Sequence, residues 1–200
     1  MSGKAREIFK EAVAVEKENQ RIALTRRLLK ENLMELLQEK PIGKISVTEL
    51  CQRAEINRST FYAHYSAPQD VLLEIKRDSA AQIAESLRSL DKNAASKDKF
   101  LRICEWIAAN AELEKIILSN SDDDEATEAA FGNMFDIWNV AASFTNGMDD
   151  DARRLVTVFL HQGLFRAIRE WITREIPKTP AEMAEIFDGI LFNRPDSSQS

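Results

Sequence analysis

Residues 48–66 read TELCQRAEINRSTFYAHYS, and the fold turns on how they divide. Thr48 is suited to cap a helix whose inward side carries Leu50, Cys51 and Ala54, and the small Ala54 admits a second helix crossing at a steep angle. The segment Glu55-Ile56-Asn57 breaks that helix, and Asn57 is suited to cap another running from Arg58 to Tyr65. In the second helix Phe61 and Tyr65 form an apolar i, i+4 pair, flanked by polar rows that set Arg58 beside Tyr62 and Thr60 beside His64. Two short helices joined by a tight turn, the second amphipathic with hydrogen-bonding residues at its start, match a helix-turn-helix that lays its second helix in the major groove of DNA.

Upstream, Leu29, Leu33, Leu36 and Leu37 recur at helical spacing and predict an amphipathic helix over about residues 20–39, stopped by Pro41 and Gly43. The residues before it keep that spacing through Ile8, Phe9, Ala12 and Val13, so the helix either begins earlier or follows another. Downstream, a helix is expected from Gln69 to about Leu90, then a polar linker, DKNAASKDK, at 91–99. Further helices are expected near 97–119, 123–145, 150–175 and 180–192. Asp122 and Glu125 have capping-box spacing, while Thr179, Pro180 and Glu182 supply a cap, a first-turn proline and an N3 acid. The tail 193–200 reads as disordered. Alternation of period two is absent over any useful length, so the fold class is all-α.

A chain of 200 residues buries a sizeable core, and its formal charge of −6 argues against wholesale coating of nucleic acid. The charge is uneven. Residues 1–80 hold 14 Lys and Arg against 12 Asp and Glu, net +2, which leaves 13 against 21, net −8, for the remainder. Cys51 and Cys104 lie in apolar helical patterns without paired spacing and read as buried free thiols. No apolar run reaches the roughly 18 residues that cross a bilayer, and no signal-peptide core opens the chain, so no membrane association and a cytoplasmic location are expected. Motifs of nucleophilic, phosphate-binding and metal chemistry are missing, and two distant histidines leave little for acid-base work; neither an enzyme nor a cofactor is expected. The run Asp122-Asp123-Asp124-Glu125 lacks the glycine and ligand spacing of a calcium loop and suits a helix N-terminus instead.

The residue types of the motif fit base and backbone recognition. Arg58 has a planar fork for guanine O6 and N7, Ser59 and Thr60 can donate or accept at base edges, and the Thr60 methyl can pack on thymine. Tyr62 and His64 suit phosphate contacts, and the first-turn N–H groups around Ser46 to Glu49 form an anion site that Lys44 reinforces. The nucleic-acid candidates are therefore Lys44, Ser46, Thr48, Asn57, Arg58, Ser59, Thr60, Tyr62 and His64. The competing reading is that 48–66 is one more part of a helical bundle, with Tyr62 and His64 half-buried.

The run ISVTELCQRAEINRSTFYAHYSAPQDVLLEI, residues 45–75, and above all RSTFYAHY, resembles the TetR/AcrR family of transcription regulators. The resemblance implies an N-terminal three-helix DNA-binding domain over 1–68, with an N-terminal helical extension, a connecting fourth helix, and a helical regulatory and dimerisation domain over 69–192. It further implies a homodimer on palindromic double-stranded operator DNA, repression as output, and an unidentified small-molecule effector. Two departures stand out. Glu55 occupies a turn position where the family usually has Gly, at a cost of about 1 kcal/mol for a left-handed conformation. Pro68 stands where a phosphate-contacting Lys is common and reads instead as a first-turn helix residue.

The C-terminal half holds Trp106, Trp138 and Trp171 and most of the phenylalanines. Trp106, Phe135, Trp138 and His161 are the candidates for lining a ligand pocket, although core packing suits any one of them better. His161 reads as a pocket polar group, a dimer contact or a satisfied core histidine. Gly163, Trp171 and the TPxE helix loosely resemble the dihydroxyacetone-kinase regulator subgroup of that family. Phe159, Gly163 and Ala167, at i, i+4, i+8, would allow close packing across a twofold axis. A protein-interaction adaptor that keeps the DNA-binding domain and takes no small molecule is the other reading.

Overall fold

The computed structural model describes residues 3–91, 94–120, 145 and 147–192, with backbone alone at 3–15, 17 and 192. Among these the chain is α-helical without a strand: α1 Gly3–Glu39, α2 Val47–Arg53, α3 Arg58–Tyr62, α4 Pro68–Arg88, α5 Ser96–Ala109, α6 Ala111–Ser119, α7 Asp150–Thr173 and α8 Pro180–Phe192. The helix expected near 123–145, apart from Thr145, lies outside the described residues, as do Asp122 to Glu125, Phe135, Trp138 and the tail 193–200. Two compact units are present, Met1–Leu72 and Leu73–Ser200, and the boundary falls within α4.

The first unit is organised by α1, one continuous helix of 37 residues that absorbs the whole N-terminal extension. Its buried row is Thr25, Leu29, Leu33, Leu36 and Leu37, the leucines that mark the amphipathic period in the sequence. A 3-10 turn, Ile42–Lys44, follows Pro41 and leads to the buried Ile45. Pro68 opens α4 as its first residue, where its missing N–H costs nothing, and the Asp70 carboxylate accepts from the N–H groups of Ser66 at 2.7 Å and Ala67 at 3.1 Å.

The second unit packs α5 against α8 and α6 against α7. Its core joins Ile83 of α4 to Phe100, Ile103, Cys104 and Ile107 of α5, Leu118 of α6, Leu164, Phe165 and Ile168 of α7, and Met183, Ala184 and Phe187 of α8. The Phe100 and Phe187 rings meet at 5.8 Å between centroids. Trp171 is buried in the same core and donates its indole N–H to the Lys178 carbonyl at 2.9 Å, so the α7–α8 connection is pinned from within.

Sequence expectations are corrected at three places. The helix expected over 97–119 is two helices: Asn110 leaves the helical region at φ −114°, ψ 28°, and its side-chain amide and backbone N–H both donate to the Trp106 carbonyl. An Asn side chain competes with the backbone ladder in this way, and an apolar pattern running through the break conceals it. Of the polar stretch 91–99, Ser96 to Lys99 form the first turn of α5, one residue ahead of the helix start expected at 97. Ala167 is packed against the core, whereas Phe159 and Gly163 are exposed, so the apolar face of α7 runs through Leu155, Val158 and Phe159. The eight-residue step from Phe159 to Ala167 rotates roughly 80° around a helix and carries Ala167 inward.

Candidate nucleic-acid interface

Ser46, not Thr48, is the N-cap of α2: its hydroxyl oxygen accepts the Glu49 N–H at 3.2 Å, and Thr48 lies inside the first turn, exposed. The donor Glu49 lies three residues after the cap, so the Ser46–Glu49 pair has capping-box spacing, and Thr48 is two positions too late. The Glu49 carboxylate turns outward to Lys40, which holds it below the ordinary carboxylate range. Arg53 pairs with Glu39 and Glu35 of α1. Each such exposed pair is worth little alone, but the apolar contacts of Leu50, Cys51 and Ala54 beneath them fix α2 against the first unit's core.

The turn after α2 is built on Glu55 in the left-handed region, at φ +55°. The Ile56 N–H donates to the Cys51 carbonyl at 2.9 Å and the Glu55 N–H to the Gln52 carbonyl at 3.3 Å, which together make a Schellman termination. This redirects the chain into α3 within two residues. Asn57 sits at the N-cap of α3, but its side chain makes no capping hydrogen bond; its carbonyl accepts the Phe61 N–H. The expected helix Arg58 to Tyr65 is shorter, ending at Tyr62, with turn hydrogen bonds carrying the chain to Tyr65. Phe61, fully buried, anchors it, with Tyr62 edge-on at 5.6 Å and Tyr65 at 5.8 Å between ring centroids. The Arg26 guanidinium lies 5.8 Å over the Tyr65 ring and ties α1 to the end of this segment.

With Phe61 pointing inward, the polar residues of α3 point out. Arg58, Ser59 and Tyr62 are exposed, Tyr62 at 53%, and Lys44, Ser46, Thr48 and Asn57 are exposed on the preceding elements. Thr60 and His64 are half-buried. Together with Ser59 they form one wall of an open groove of about 320 Å³ whose other wall is α1, through Glu18, Arg21 and Thr25. The sequence reading did not assign α1 to this surface. No local signal marks Arg21, because its place beside α3 is a consequence of tertiary packing.

In the second unit Trp106 is half-buried against the core and His161 is buried on α7; Phe135 and Trp138 lie outside the described residues. One buried acid escaped the sequence reading. Glu114 is 1% exposed, accepts a hydrogen bond from the Ser79 hydroxyl at 2.6 Å through Oε1, and leaves Oε2 without a hydrogen-bond partner among the described residues. Burial raises its pKa, against the Ser79 hydrogen bond. It lies in the first turn of α6, a start that the single helix expected over 97–119 did not contain. Both cysteines are buried and free, and burial pushes the Cys104 thiol up to about 12. Among the described residues no cluster of His, Cys, Asp and Glu could hold a metal ion, and no helix is long and apolar enough to cross a membrane.

Residues 95–193 match the family described as transcriptional regulator C-terminal region. The fold is similar to that of the dihydroxyacetone kinase operon activator DhaS, with a TM-score of 0.50 and 18% identity over 84% of this chain and 94% of that one. It is also similar to a TetR transcriptional regulator from Rhodococcus sp. RHA1, with a TM-score of 0.53 and 14% identity over 84% of this chain and 96% of that one. At these identities the likeness is one of fold. No curated protein sequence matches the chain.

Proposed function

Starting from a chain that is a transcriptional regulator of the TetR type, we propose that it binds a palindromic operator as a homodimer and represses transcription there under control of a small-molecule effector. The observation that carries DNA binding is α3 itself, a helix fixed from below by a fully buried Phe61 and presenting Arg58, Ser59 and Tyr62 to solvent at a Schellman turn. Residues 1–68 form the DNA-binding domain in this reading and 69–192 the regulatory and dimerisation domain. Arg58, Ser59 and Thr60 read bases, while Lys44, Ser46, Thr48, Asn57, Tyr62 and His64 position the backbone.

Dimerisation is supported by an apolar face that the second unit leaves uncovered. Leu155 is 70% and Phe159 74% exposed on α7, with Val158 between them, and Ile186 and Ile190 lie exposed one turn apart on α8. A second copy of the chain is the occupant we assign, because one short helix buries too little surface for tight specific binding whereas two half-sites multiply it. We place the effector in the second unit, with Trp106, Phe135, Trp138 and His161 as candidate contacts. Repression is the output we assign, since an occupied operator excludes a competing protein from the same duplex. An effector that shifts the operator-competent population through a coupling of roughly 1–3 kcal/mol changes affinity 5- to 150-fold.

Arg58→Ala tests the base-reading role. The expected result is a loss of about 1–3 kcal/mol in operator binding, with relaxed discrimination at one base position of each half-site. Unchanged affinity and unchanged discrimination would remove Arg58 from the recognition set.

A further inference from the structure

We propose that Arg21 of α1 contacts DNA, donating to a backbone phosphate beside the bases reached by α3, so that the nucleic-acid interface includes the N-terminal part of the first helix. The proposal rests on the DNA-binding reading above and extends it to an element outside the helix-turn-helix. Its basis is the open groove of about 320 Å³ shared by Glu18, Arg21 and Thr25 of α1 with Ser59, Thr60 and His64 of the α3 segment. Three of the residues assigned to DNA therefore share this groove with α1.

Position decides between base and backbone. The major groove that admits a helix is about 12 Å wide. With α3 along the groove axis, a helix at its side overlies the groove wall, where the phosphates lie. The direction of Arg21 is fixed by its own helix. Thr25, one turn further on, is buried and begins the inward row that continues through Leu29 and Leu33, so Arg21 extends that row into the groove where α1 outruns the core. Arg21 is exposed and forms no ion pair with a described residue. A guanidinium fork suits a phosphate. Glu18, three residues before it, lines the same groove and sets a like charge against the phosphate.

The pair gives opposite and separable signatures. Binding of the full chain to a selected operator duplex is measured by fluorescence anisotropy over a series of salt concentrations. Arg21→Gln is expected to weaken binding several-fold and reduce the slope of log affinity against log salt by about 0.9, the loss of one phosphate contact. The ranking of single-base operator variants stays as in the wild type. Arg21→Lys keeps the slope, and Glu18→Gln tightens binding, again without reordering the variants. Both side chains are exposed, so thermal melts unchanged from wild type are expected and serve as the control for folding. Wild-type affinity and slope in Arg21→Gln would overturn the proposal, and so would a changed base preference, which would make Arg21 a base reader. Arg58→Ala run in parallel reports on the underlying reading: if wild type and Arg58→Ala alike prefer no sequence, DNA recognition by α3 has failed and the Arg21 contact falls with it.

Discussion

Glu55 holds the turn of the helix-turn-helix at φ +55°, a conformation that disfavours any residue with a Cβ. The two hydrogen bonds that end α2 require this geometry, and glycine adopts it without strain. Glu55→Gly is accordingly expected to stabilise the protein by about 0.5–1 kcal/mol, the relief of strain outweighing the greater unfolded-state freedom of glycine. That is a rise in Tm of roughly 1–4 °C, read from thermal melts followed by circular dichroism. A fall in Tm would show that the Glu55 side chain contributes something the backbone argument omits. Glu175 repeats the device at the end of α7, at φ +51° with the Ile176 N–H bonded to the Trp171 carbonyl, but there the carboxylate also pairs with Lys115. Its low pKa follows from that pair. The strain at Glu55 was legible only through the family resemblance, which sets Gly at that turn position. The burial of Glu114 was not, since an acid on a helix has the same local pattern whether water or Ser79 faces it.

Among the elements, α8 has the most completely specified start. The Thr179 N–H donates to the Glu182 carboxylate at 2.8 Å, the Glu182 N–H donates to the Thr179 hydroxyl at 3.2 Å, and Pro180 occupies the first helical position. The Lys178 ammonium, first among the causes, and the two Thr179 hydrogen bonds bring the Glu182 pKa to about 2 from an ordinary 4.5. Because the folded value is the lower one, the stability it contributes is fully present above pH 4.5 and is lost as pH falls from 4.5 towards 2. Glu182→Gln is therefore expected to lower the urea midpoint at pH 7 and to flatten the fall of that midpoint between pH 4.5 and 2. Parallel acid slopes in variant and wild type would contradict the capping role. Such starts were legible because they are local: Thr179, Pro180 and Glu182 lie within four residues. The split at Asn110 was hidden by apolar residues continuing at helical spacing from Phe100 to Leu118. The cap of α2 was misassigned by two residues because Ser46 and Thr48 are chemically equivalent caps and only the helix start distinguishes them.

At the scale of the molecule, the surplus of positive charge over residues 1–80 coincides with the unit that carries α3, and the acidic remainder with the unit whose α7 and α8 expose Leu155, Phe159 and Ile190. In the proposed function the first unit meets the polyanion and the second unit meets a second copy of the chain. Most of the exposed face of α3 was readable in the sequence because the helix carries its own periodicity, anchored by Phe61. The α1 wall of the groove was not, because Glu18 and Arg21 belong to a charged stretch that only packing sets beside Ser59 and His64. The central claim, that two copies of this helix read one operator, is tested most directly by selecting bound duplexes from a random DNA pool at fixed salt. The account predicts recovery of a single palindrome whose two half-sites lie about one helical turn, or a multiple of it, apart; recovery of no preferred sequence, or of an isolated half-site without its symmetric mate, would contradict it.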